Sequence, residues 1–139
     1  MTTHTTFDIV VLGDVDVHQR LDMLSEKAAE HGAVITRTFT FPVGSAAQHD
    51  DLTDVDAVVE ALGHALATRR SVWMPWWHQD LCREEHLRRL GLTLQRHGLD
   101  LLIGEHLQPC PVEGGINEID SALRNEVRAV YALDDAAMA

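Results

Sequence analysis

The run Phe7-Asp8-Ile9-Val10-Val11-Leu12-Gly13-Asp14 sets four consecutive aliphatic residues between an aromatic residue and a glycine–acid pair. Its apolar residues do not alternate with polar ones, so the segment needs cover on both faces, which is the condition of a central strand in a parallel sheet. Helices must supply that cover. The rest of the chain offers them at regular intervals.

Residues 17–32 carry Leu21, Leu24, Ala28 and Ala29 at helical spacing and stop at His31-Gly32. Residues 33–41 read as a second strand, in which Thr36, Thr38 and Thr40 alternate with Ile35, Arg37, Phe39 and Phe41. One polar face suits a strand at a sheet edge. Residues 42–52 form the longest loop, and Thr53 is placed to cap a helix reaching about Arg70, with Val55, Val58, Val59, Leu62 and Leu66 as its apolar stripe. A third strand is expected over 71–76 and a helix from a cap at Asp80 to His97-Gly98, with Leu81, Leu87, Leu90 and Leu94 turned inward. A fourth strand over 99–104, a helix over 117–126 and a fifth strand over 127–133 complete the pattern, with residues 1–6 and 134–139 as loose ends.

Alternation of this kind predicts a single three-layer α/β domain spanning 7–133, with a five-stranded parallel sheet in flavodoxin-like order. The length of 139 residues agrees with one domain, since domains most often hold about 100–150 residues. In such sheets ligands bind beyond the carboxyl ends of the strands. That rule selects Gly13 and Asp14 after the first strand, the segment from Pro42 to Ser45 after the second, that from Trp76 to Asp80 after the third, and residues 105–118 after the fourth.

A net charge of −11 repels phosphate backbones and anionic lipid heads, which argues against a nucleic-acid or membrane partner. No apolar run has the roughly 18–20 residues of a membrane span, and the first residues lack a signal-peptide pattern, so a cytoplasmic location is expected. Two cysteines, Cys82 and Cys110, do not make a disulfide framework.

Gly114-Gly115-Ile116-Asn117-Glu118-Ile119-Asp120-Ser121-Ala122 reads as a glycine turn opening a helix, with Glu118 in the first turn. The helix N-terminus favours an ionised carboxylate there, which makes Glu118 a candidate nucleophile or an ordinary helix-start acid. The stretch resembles the nucleoside 2-deoxyribosyltransferase family and the related nucleotide N-glycosidases, whose pattern is similar to G-x-x-x-E-[LI]-G-x-A. The chain differs at Asp120 and Ser121, and it has Val112, next to Glu113, where the family has an acid. The resemblance implies that Glu118 attacks the anomeric carbon of a nucleoside or nucleotide and forms a glycosyl-enzyme intermediate, with no metal or redox cofactor.

Transfer of that kind requires a second carboxyl group across the bond. By topology Asp14 and Asp80 are the candidates, against a turn acid for Asp14 and an N-cap for Asp80. The amides of Gly114, Gly115 and Ile116 could cradle a hydroxyl or phosphate, with Asn117 beside them. A base could stack on Trp76 or Trp77, with His78 a further candidate contact, while Trp73 falls in the core by alternation and one of the other tryptophans suits a homodimer interface.

Two other classes of function stay open. One is a non-enzymatic nucleotide-sensing or protein-interaction domain on the same fold. The other is a zinc protein using His78, Cys82 and His86, which recur at four-residue spacing and would share one face of a continuous helix.

Overall fold

The structure is a computed structural model, and its description covers residues 6–81, 84–110 and 124–139. In chain order the elements are β1 (Phe7–Asp14), α1 (Asp16–Gln19), α2 (Leu21–Glu30), β2 (Ala33–Phe41), α3 (Ser45–Gln48), a 3₁₀ turn (Leu52–Asp54), α4 (Asp56–Thr68), β3 (Ser71–Met74), α5 (Trp77–Asp80), α6 (Glu84–Gln95), β4 (Leu101–Ile103), β5 (Gln108–Pro109) and α7 (Arg124–Met138).

The sheet runs β2-β1-β3-β4-β5. The first four strands in that order are parallel, and β5 pairs antiparallel with β4. The sheet is therefore mixed, and the expectation of a wholly parallel one is corrected at its last strand. Residues 127–133, expected to be that strand, lie in α7. Their tertiary placement explains the difference. Val130, Leu133, Asp134 and Ala137 are buried, a three-and-four spacing that makes one face of a helix continuing past the expected chain-end tail.

β1 is covered on both sides, as its aliphatic run requires. Val10 and Leu12 pack with Phe39, Val72, Met74, Leu101 and the inner faces of α4, α6 and α7. Ile9 and Val11 pack with Trp73, Leu102, Val17, Leu24 and Ala28 on the other face. Each such aliphatic side chain contributes roughly 1.5–3 kcal/mol by leaving water. Gly63 lets α7 approach α4 closely, since a Cβ there would stand 2.8 Å from the Ala137 carbonyl oxygen.

β2 lies at the sheet edge, in keeping with its threonines. Opposite Ile9 and Val10 stand Ile35 and Arg37, so Thr36 is the extra residue of a bulge. The Thr36 hydroxyl donates to the Ile9 carbonyl at 3.0 Å, and Arg70 donates to Thr36 and pairs with Asp8. A twisted, side-chain-tied edge is a poor template for strand addition. The start of α4 differs from expectation. Val55, not Thr53, is its N-cap residue, and the Thr53 amide is bonded to the Asp51 side chain within the preceding 3₁₀ turn.

Candidate functional site

The carboxyl ends of β1 and β3 are adjacent in the sheet, and the chain leaves both in tight turns. After β1 comes α1. Asp14 accepts a hydrogen bond from the Asp16 amide on one oxygen at 2.9 Å, so it does serve as a turn acid. After β3 the buried Pro75 leads into the single turn of α5, which carries Asp80 back toward the end of β1.

Asp80 is the last residue of α5, not the cap of the following helix. Its amide donates to the Trp76 carbonyl at 3.0 Å, and its side chain is turned inward against Asp14. Asp14 and Asp80 are 1% and 0% exposed. Both Asp80 oxygens and Asp14 Oδ2 are sealed from solvent, and with the carboxyls ionised they have no hydrogen-bond partner among the described residues. Two ionised carboxylates cannot share such a space at low cost.

Burial, followed by the hydrogen bond and then the charge of the Asp14 side chain, pushes the Asp80 carboxyl up to about 7, and the Asp16 charge adds to the rise. One proton held between the two groups supplies the missing bond. Asp80 therefore keeps its proton until near neutrality and can act as a proton donor or acceptor there.

Gly13 permits this contact. A Cβ at that position would stand 2.7 Å from Asp80 Oδ2 and 2.6 Å from Val17 Cγ2. Its absent side chain leaves room for Asp80 itself, so the glycine is the seat of the pair. The local sequence carries a trace of this arrangement, because Asp80 precedes Leu81, which is fully buried. An acid beside a core leucine is a poor solvent-facing cap.

Trp76 and Trp77, both half-buried, separate to opposite faces of the sheet. Trp76 packs against the cluster containing Ile9, Val11 and Trp73 and lies under the Arg20 guanidinium at 5.6 Å. Trp77 packs against the other cluster and stacks with the exposed His78 at 3.5 Å between ring centres. They cannot form the two walls of one base-binding slot. Arg20, which sequence reasoning passed over, is thereby placed beside one of them. Trp73 is fully buried as expected, and its indole N–H donates to the Gly104 carbonyl at 2.8 Å.

Of the residues of the zinc reading, His78 and His86 do not share a continuous helix. His78 is on α5 and His86 on α6, where its Nε2–H donates to the His49 carbonyl at 2.7 Å. Cys82 lies outside the described residues, as do Gly114, Gly115, Ile116, Asn117 and Glu118. Among the described residues no helix is long and apolar enough to cross a membrane. Comparison with models of protein families, with curated proteins and with solved structures finds no match to this chain.

Proposed function

We propose that the chain cleaves or transfers the N-glycosidic bond of a nucleoside or nucleotide, with the Asp14–Asp80 pair carrying the proton that the leaving base takes up. The observation that carries this reading is the buried carboxyl pair at the ends of β1 and β3, with Asp80 raised to about 7. A departing base is a poor leaving group as an anion, and a carboxylic acid still protonated near neutral pH can protonate it as the bond breaks. Glu118 supplies the nucleophile in this scheme, on the strength of the deoxyribosyltransferase-like motif around it, and attacks from the face opposite the acid.

The strand order β2-β1-β3-β4-β5 supports a flavodoxin-like reading of the fold, which puts ligands where the pair is found. We infer a cytoplasmic homodimer requiring no cofactor. A second reading, a nucleotide-sensing or protein-interaction domain without turnover, draws on the exclusion of Asp14 and Asp80 from solvent, which also suits a pair serving conformation alone.

The test is incubation with nucleosides, deoxynucleosides, their monophosphates and NAD, with chromatography for free base. Wild-type protein is expected to release base from one class, Glu118→Ala to release none, and Asp80→Asn to be slowed about 10²–10⁴-fold, the usual worth of a positioned acid. Binding of a nucleotide by calorimetry with no base released, with or without an acceptor base, would establish the second reading.

A further inference from the structure

At the β2 edge of the sheet, a groove of about 750 Å³ opens between β2, α4 and the last turn of α7. None of its lining residues belongs to the carboxyl pair or its neighbours. Its volume lies in the range of about 300–1,000 Å³ usual for small-molecule sites. Phe39, Val59, Leu66 and Met138 give it apolar walls, and Met138 is among the more exposed large hydrophobic residues of the chain.

The polar groups of the groove are few and unequal. The Arg37 guanidinium stacks on the Phe39 ring at 4.7 Å and, among the described residues, pairs with no carboxylate. His64 sits 5.8 Å from the same ring, its Nε2 buried and without a hydrogen-bond partner among the described residues. Burial first, then the charges of Arg37 and Arg70, push the pKa of its imidazole below the ordinary histidine value. His97 is already bonded to Asp134 at 2.6 Å, and Glu60 is exposed. What remains to a ligand among the described residues is one planar cation on an aromatic platform, beside an apolar trough with Glu60 as its one side-chain acid.

A guanidinium presents paired N–H donors that match a carboxylate, and its attraction strengthens where water is partly excluded. Among the described residues Arg37 is the one unpaired cation of the groove, which balances a single negative charge, and Glu60 works against a dianion such as a phosphate monoester. We propose that this groove binds a small monoanionic amphiphile, a carboxylate with an apolar tail, its head on Arg37 and its tail along Val59, Leu66 and Met138. The site is independent of the N-glycosidic reading and stands or falls apart from it.

The test is titration calorimetry of the full chain with octanoate, octylamine and acetate. Octanoate should bind, octylamine should not, and acetate should bind at least 10-fold more weakly than octanoate for want of a tail. Arg37→Gln, a change at an exposed residue, should weaken octanoate at least 10-fold, and Ala67→Trp, which fills the trough from an exposed position, should block it. Asp80→Asn should leave octanoate binding unchanged. Equal binding of octylamine, full affinity in Arg37→Gln, or loss of affinity in Asp80→Asn would each overturn the proposal.

Discussion

Asp80 and Asp134 are both buried carboxyl groups, 0% and 7% exposed, yet the chain surrounds them in opposite ways. Asp134, on α7, receives Arg96 at 2.9 Å and His97 at 2.6 Å from the end of α6. Its carboxyl group is met by a guanidinium and an imidazole and ties two helices together. Asp80 is met by another acid. The difference teaches that burial alone does not define a carboxyl group's role, because a basic partner favours its charged form and an acidic one disfavours it. One arrangement holds helices in place, and the other stores a proton where parallel strands end.

The largest stability effect should come from turning Asp80 into a neutral amide. An acid whose folded value of about 7 lies above the ordinary value of about 3.9 stabilises the fold fully below pH ~4. That contribution is lost as pH rises through about 7. Urea denaturation of the wild type should therefore show stability falling between these limits. Asp80→Asn should flatten the decline and be more stable than wild type at pH 8, by on the order of 2–4 kcal/mol from the size of the shift. A wild-type curve flat over this interval would remove the shared proton.

Asp134→Asn should move stability the other way. It leaves Arg96 and His97 without their anion in a partly buried setting and should cost about 1–3 kcal/mol at pH 7. The two asparagine variants together test the comparison directly. Destabilisation by both at pH 8 would show that the fold favours the ionised Asp80 carboxylate instead of penalising it.

Gly13→Ala sharpens the carboxyl side of the contrast. The added methyl group collides with Val17 and Asp80, so a loss of about 1–3 kcal/mol is expected from overpacking. The decline between pH 4 and 7 should shift at the same time, because Asp80 is displaced from Asp14. Loss of stability with an unaltered pH profile would separate Gly13 from the pair.

The smallest effect concerns His64. Its folded value is lowered by burial and by Arg37 and Arg70, so its contribution is present above the ordinary histidine value near 6.5 and is lost as pH falls through the folded one. His64→Gln should remove a shallow acid-side decline. It should leave the higher-pH decline of Asp80 intact.

Much of the scaffold was legible in local pattern. The aliphatic run of β1, the threonine alternation of β2 and the stripe of Val58 and Leu62 in α4 each report which sides of a segment must be covered, and coverage is a property of the segment itself. The same logic failed over 127–133. There Val127, Ala129, Tyr131 and Leu133 alternate as a strand would, while Val130, Leu133 and Ala137 recur as a helix does. Packing on α4 across Gly63 and on α6 through Asp134 belongs to the helix. No local signal could weigh those contacts.

The candidate site divides in the same way. Sequence position was enough to put Asp14 at the end of a strand and to mark Asp80 as an acid after the third, because strand ends follow from where apolar runs stop. That the two acids meet, that Gly13 makes room for them, and that Trp76 and Trp77 part to opposite faces are decided by the folded sheet. A side chain's direction in an irregular turn depends on partners distant in the chain, and a carboxyl group's hold on its proton depends on the charge those partners bring.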